Sequence, residues 1–278
     1  MSFMDFLRGK KKKPIAFSHP EPEIEADPPR HCFVLCPSQT VATLNPERVV
    51  DTVQVVLGDE YQGEAKEEGV VTVFRGETLI GILAHLPHPI PEKEAEHYAD
   101  GNMLWPDGAN QASKHLSHVI VTTIGGPERS PIDAAMTLTQ LTLVALELFD
   151  GIGVYWGAGS VCNSREVFED FCSDMSEDNL PVSVWLRFQL ARGGDQGFGI
   201  YTLGMTQFGL MEIEADQSPM EVRDLFAFLS NIASYLIKSG PVIADGNTVG
   251  GSEEERIVVR HQPSMVEPER RVYKLVFE

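Results

Sequence analysis

The sequence predicts an α+β protein of two similar β-α-β-β-β-α halves, packed as mixed or antiparallel sheet with helices on one face, plus a C-terminal strand extension. Three observations carry this. Short β-branched runs alternate with helical patterns along most of the chain. Two long apolar helices each open on Ser-Pro-x-acid, at Ser130 and Ser218. Between the strands of each half stands a Gly-containing turn, Arg75-Gly76-Glu77 in the first and Gly193-Gly194-Asp195 in the second, as hairpins require.

Residues 1–30 carry the basic run Lys10-Lys11-Lys12-Lys13 and then five prolines among acidic residues, and are expected to form a disordered tail. The first half, 31–150, opens with a strand at His31–Cys36 and a helix at Pro46–Leu57, where proline suits the first turn. Val70–Phe74 and Thr78–Leu83 form the hairpin, and Val119–Ile124 is a strand by its β-branched content. Ser130 caps a helix from 131 to 149, with Pro131 in its first position and Asp133 in its positive first turn. The second half, 151–278, repeats the order: a strand at Ile152–Trp156, a helix at Ser164–Ser173, a strictly alternating strand over 182–191, a strand at Phe198–Leu203 and another at Met211–Ala215. Ser218 and Glu221 have capping-box spacing, and Val222, Leu225, Phe226, Leu229, Ile232, Ala233 and Leu236 share one helical face. The two Ser-Pro starts are 88 residues apart and the opening strands 121, a difference that marks 84–117 as an insertion. An extension over 242–278 adds strands at Arg256–Arg260 and Val272–Phe277.

The chain has 278 residues, with 22 Lys and Arg against 41 Asp and Glu, a formal charge of −19. The first 30 residues hold 6 basic and 5 acidic residues, so the rest carries −20. Neutralising nucleic-acid phosphates needs a basic surface, so nucleic acid is excluded as a broad partner and a basic protein surface is favoured. Hydrophobic residues at 42% and charged residues at 23% match ordinary folded domains. Four cysteines are too few for a disulfide scaffold, and no signal-peptide core is present, which reads as a reduced cytoplasmic protein. The apolar stretch Ile132–Phe149 carries Asp133, Gln140 and Glu147, so it is a core helix, and stable membrane insertion is not expected.

The chemistry-bearing residues spell no catalytic signature and no cofactor motif. Gly157-Ala158-Gly159-Ser160 lacks the third glycine of a dinucleotide loop, the Gly-Lys-Ser/Thr of a phosphate loop and the frame of a nucleophile elbow, leaving a tight turn. Cys162 near a helix start has the position of a lowered-pKa thiol, against a bland reading as a buried small side chain. His85, His88, His97 and His115 gather in the insertion with His118 just after it, and His97, His115 and His118 are the candidate metal ligands. Aromatics beside flexible backbone make Tyr155, Trp156, Tyr201, Gln207 and Phe208 candidate binding residues, with core packing as the alternative. Asp245 and Asn247 join them from the polar segment that runs on to Glu253–Glu255.

Gly153-Val-Tyr-Trp-Gly157, the run Tyr201–Glu214 (YTLGMTQFGLMEIE) and Gly240–His261 together resemble the bacterial family called domain of unknown function 4261, over roughly residues 31–278. The resemblance implies no activity or catalytic residue, and loosely implies a setting near toxin–immunity or secretion loci. The expected function is a non-catalytic acidic binding module for a protein partner, immunity-like or secretion-associated. The competing class is a hydrolase-type or metal-dependent enzyme using Cys162 or the histidine-rich insertion.

Overall fold

A computed structural model of the chain describes residues 24–40, 43–125, 129–192, 197–250 and 256–277. The Lys10–Lys13 run, the Gly193-Gly194-Asp195 turn and the Glu253–Glu255 segment lie outside the described residues. The protein is α+β, with two sheets and two compact units, residues 27–189 and residues 190–278 together with Ile24–Ala26.

The first unit opens with β1 (His31–Cys36) and α1 (Pro46–Leu57), capped by Asn45, whose side chain accepts from the Glu47 amide. Then come β2 (Tyr61–Ala65), β3 (Val70–Arg75) and β4 (Thr78–Leu86), followed by two short helices, α2 (Glu94–Ala99) and α3 (Gly108–Ala112). Next are β5 (Ser117–Thr123), α4 (Pro131–Leu148), β6 (Gly153–Trp156), β7 (Val161–Ser164), α5 (Arg165–Cys172) and a single turn, α6 (Val182–Trp185). The seven strands form one sheet in the order β2-β3-β4-β5-β1-β6-β7, every neighbouring pair antiparallel.

Helices cover both faces of this sheet, not one. Adjacent strand residues point to opposite sides, and β1 shows where each side leads. Cys32 meets α4, its sulfur 2.9 Å from Thr142 Oγ1. Phe33 and Leu35 face the other way, into a cluster with Ile90, Ala95, Ala99, Trp105 and Ala112. The expected insertion 84–117 therefore supplies the second half of this unit's core. α4 starts as its sequence demands, the Ser130 hydroxyl accepting from the Asp133 amide at 3.1 Å.

The second unit contains the end of β8 (Arg187–Arg192), then β9 (Phe198–Leu203), β10 (Ile213–Ser218), α7 (Val222–Ser239), β11 (Thr248–Val249), β12 (Ile257–Pro263) and β13 (Arg271–Phe277). Its sheet runs β11-β12-β13-β10-β9-β8, and the central β10–β13 pair is parallel, Ile213 opposite Tyr273.

Several expectations change. The boundary between compact units falls at Gln189–Leu190 instead of residue 150, because β6 and β7 complete the first sheet. The units do not repeat one element order: α4 lies on an antiparallel sheet, α7 on one with a parallel centre. Residues 182–185 are helical where alternation predicts strand, because Trp185 is fully buried, stacked on Trp156 at 6.4 Å and donating from Nε1 to Thr139 Oγ1 at 2.8 Å. The Ser218 capping box is not made. Ser218 is the last residue of β10, and α7 begins after Glu221 without a side-chain cap. Nor do residues 24–30 behave as tail: Ile24 and Ala26 are half-buried, and the Arg30 carbonyl accepts from the Thr123 amide.

Candidate functional site

The unit of residues 190–278 carries a cleft of about 890 Å³. Tyr201 and Leu203 of β9, Glu212 and Glu214 at the start of β10, the turn before β13 and Tyr273 of β13 form its walls. Met211-Glu212-Ile213-Glu214 alternates as a strand, so both carboxylates fall on one side.

Each carboxylate is held by the protein's own donors. Glu212 Oε2 accepts from the Thr202 hydroxyl at 2.7 Å, and Oε1 accepts from the Gly204 and Met205 amides at 2.8 and 3.0 Å. It thereby caps the helical turn Met205–Phe208, where amide donors are otherwise orphaned. Burial pushes the Glu212 pKa up, and the bonds from Thr202, Gly204, Met205 and Thr206 oppose that rise. Glu214 is 1% exposed. It accepts from the Ser264 hydroxyl at 2.5 Å and from the Met265 amide at 3.0 Å. Ser264 Oγ in turn accepts from the Val266 and Glu267 amides, so Glu214 fixes the whole turn that walls the cleft. Lys274, 3.9 Å from Glu214, pairs with Asp216 at 2.7 Å.

The rim carries apolar side chains and charges of both signs. Met265 and Val266 are 40% and 44% exposed. Arg270 and Arg271 line the cleft with Glu267 and Glu269, and Arg270 pairs with Glu267 at 2.7 Å.

The candidate residues named from sequence separate. Tyr201 lies in the cleft wall. Gln207 is 2% exposed and donates to the Gly204 carbonyl within the turn, and Phe208 is half-buried in the same turn. Asp245 and Asn247 build a local turn: Asp245 Oδ1 accepts from the His261 amide, and Asn247 Oδ1 from the Ala244 amide. Tyr155 and Trp156 belong to the other unit. Tyr155 is 4% exposed, donates to Glu94 Oε1 at 2.8 Å, and lies stacked on Phe33 and Tyr98 with centroids at 5.6 and 5.2 Å. Arg187 sits 5.9 Å from the Tyr98 centroid and donates to the Asp100 carbonyl at 2.8 Å, tying the end of α2 to β8.

The three candidate metal ligands do not converge. His115 Nε2 accepts from the Ile90 amide and Nδ1 donates to the Ala112 carbonyl, so both ring nitrogens are engaged. His118 Nδ1 donates to the His88 carbonyl, and His97 is exposed on α2. Among the described residues no group of three His, Cys, Asp or Glu could hold a metal ion. Cys162 is fully buried in the aromatic cluster, and burial pushes its thiol pKa up, the opposite of nucleophile activation. Gly157–Ser160 is a tight turn whose Gly159 allows backbone contact: a Cβ there would lie 1.9 Å from the Trp185 carbonyl oxygen.

Residues 201–276 match the family model of a domain of unknown function, DUF4261. The match holds every cleft-lining residue named above, and it includes Tyr201–Glu214 and Gly240–His261, while Gly153–Gly157 falls outside it. No curated protein and no solved structure matches the chain. Among the described residues no helix is long and apolar enough to cross a membrane.

The sequence reading named Tyr201 but missed Glu212 and Glu214. The available signal was two glutamates alternating with apolar residues in a predicted strand, which demands a buried partner for each carboxylate.

Proposed function

We propose that the protein is a non-catalytic binding module that engages a protein partner, with the DUF4261 cleft as its recognition surface. The cleft itself carries the reading: its size suits ligand recognition, its Glu212 and Glu214 carboxylates are spent on internal hydrogen bonds, and the exposed apolar side chain of Val266 lies in its lining. An acid or base at work on a substrate would need its carboxyl within reach of the reacting proton. Glu212 and Glu214 face amides and hydroxyls of their own chain instead.

Charge supports a basic partner. Residues 27–189 contain 9 Lys and Arg against 24 Asp and Glu, a formal −15, so the chain's acidity is concentrated in the first unit. Such a field speeds encounter with a basic surface, and screening weakens it as ionic strength rises. An immunity-like or secretion-associated role, blocking a basic protein, fits this chemistry. The enzyme alternative, through Cys162 or the histidines, has no comparable support: the thiol is buried and the ring nitrogens of His115 are occupied.

The test is stoichiometric capture from the native cell by tagged wild type, Val266→Glu, and Val55→Glu as a control 85% exposed on α1. A partner retained by wild type and the control but lost on Val266→Glu supports the reading. Equal capture by all three overturns the cleft as the recognition surface.

A further inference from the structure

The walls of the cleft carry an excess of negative charge. Glu212, Glu214, Glu267 and Glu269 line it against Arg270 and Arg271, four carboxylates to two guanidiniums, a formal −2. Burial pushes the Glu212 pKa up, and with that group protonated the lining is still negative. Neither arginine is at liberty to offset the excess: Arg270 Nε is held by Glu267 at 2.7 Å, and Arg271 has a partner too. Lys274 and Asp216, paired with each other, leave the balance unchanged.

Two groups in this cleft are uncommitted. Glu269 is exposed and makes no hydrogen bond or ion pair among the described residues. Its place is nonetheless fixed. It is the third residue of the turn Glu267-Pro268-Glu269-Arg270, closed by the Arg270 amide donating to the Glu267 carbonyl at 2.8 Å, and proline presets the second position of such a turn. The Ser264 amide donates to the Arg270 carbonyl at 2.8 Å, and Ser264 is itself bonded to Glu214, so the buried carboxylate steadies the exposed one. The second group is the Tyr201 ring, half-buried, with no aromatic or cationic side chain stacked on it among the described residues. Tyr201 stands directly opposite Glu214 in the β9–β10 pair. An aromatic face beside a carboxylate attracts a cation through the ring quadrupole and through the charge together. Leu203, on the same side of β9 as Tyr201, and the exposed Val266 add apolar wall.

Resting on the reading of the cleft as a recognition surface, we infer that what it recognises is a basic side chain of the partner protein, arginine or lysine, its cationic head at Tyr201 and Glu269 and its aliphatic stem, with a neighbouring apolar residue, on Leu203 and Val266. Long basic side chains lay their stems along apolar surface in this way while the head keeps polar company. The chain's formal −19 favours encounter with a basic protein in general, and the cleft selects one side chain of it.

The experiment titrates the full isotope-labelled chain and follows its amide chemical shifts. The probes are a blocked Gly-Leu-Arg-Gly peptide, its analogues with citrulline or glutamate in place of arginine, and spermidine. Citrulline keeps the shape of arginine and removes the charge. The arginine peptide should shift the amides of Leu203–Gly209 and Ser264–Arg271 saturably, with the citrulline peptide at least about tenfold weaker and the glutamate peptide silent. Glu269→Gln and Tyr201→Leu should each weaken the arginine peptide about three- to tenfold, Glu269→Asp should keep most of the affinity, and added salt should matter less in Glu269→Gln than in wild type. Equal binding of the citrulline peptide, unchanged affinity in Glu269→Gln, spermidine binding as tightly as the arginine peptide, or no saturable shift with any probe overturns the inference. The β12 amides report that the unit stays folded, and if Tyr201→Leu does not fold, Glu269→Gln decides alone. The two readings fail separately: capture lost on Val266→Glu but kept in full by Glu269→Gln leaves the recognition surface standing and removes its cationic occupant.

Discussion

Replacing Glu214 with alanine should release the turn that walls the cleft. The carboxylate accepts from the Ser264 hydroxyl and the Met265 amide, and it is 1% exposed, so water cannot take its place without opening the fold. A hydrogen bond to a charged acceptor contributes about 1.5–3 kcal/mol, so losing two costs about 3–6 kcal/mol. That is a large share of the roughly 5–15 kcal/mol that holds a typical domain together. Lys274 does not add to the loss, because Asp216 at 2.7 Å keeps it paired. Glu214→Gln keeps one acceptor oxygen for Ser264 and should fall about halfway. Urea denaturation gives the free energies, and amide exchange locates them: Val266 and Glu267, capped by Ser264, should lose protection before β12 does. A Glu214→Ala protein within about 1 kcal/mol of wild type, or one with the turn amides still protected, would refute the relay from carboxylate to hydroxyl to amide.

Three further outcomes follow from packing and burial. Gly159→Ala puts a methyl 1.9 Å from the Trp185 carbonyl oxygen, so backbone must move; a loss of about 2–4 kcal/mol is expected by chemical denaturation, and a neutral effect would mean the turn gives way freely. All four thiols are buried, with those of Cys32, Cys36 and Cys172 pushed up to about 12, so native protein should resist alkylation at pH 8 while urea-unfolded protein labels at all four; rapid native labelling at Cys162 would revive a nucleophile. Burial lowers the pKa of His85 and His118 below the ordinary 6.5. The unfolded chain therefore binds more protons just below pH 6.5, and stability should drop as pH falls from 7 towards 5, with a shallower slope in His118→Gln. An unchanged slope in that variant would assign the acid sensitivity elsewhere.

Local chemistry made much of the fold legible. Asn45-Pro46 and Ser130-Pro131 both start helices, because a side-chain cap and a proline in the first turn act within three residues of each other. The hairpin at Gly76, φ +58°, is likewise set by its own turn. The failures are non-local. Val182–Trp185 alternates like a strand, yet the need to bury Trp185 against Trp156 and Thr139 coils it. Ser218 and Glu221 have the spacing of a cap, but β-sheet pairing opposite Phe198 claims Ser218 first. The candidate site divides the same way. Tyr201 was recognisable as an aromatic beside glycine, whereas Glu212 and Glu214 matter through Thr202, Gly204 and Ser264, partners that only the folded chain brings to them.

The parallel pairing of β10 with β13 has a consequence for how the molecule is made. The β13 strand is the last in chain order yet stands third from its sheet edge, between β12 and β10, and Ile213 waits for Tyr273. The segment Ile24–Ala26 waits longer still, since it packs against Gly209. On a ribosome adding about 5–20 residues per second, that segment is out for roughly ten seconds or more before the unit it packs on is complete. The first unit can complete its sheet in that interval. The unit of residues 190–278 instead closes in a single late event that draws on both early and late chain, so newly made protein passes through a stage in which one half is finished and the other still exposes its apolar strands.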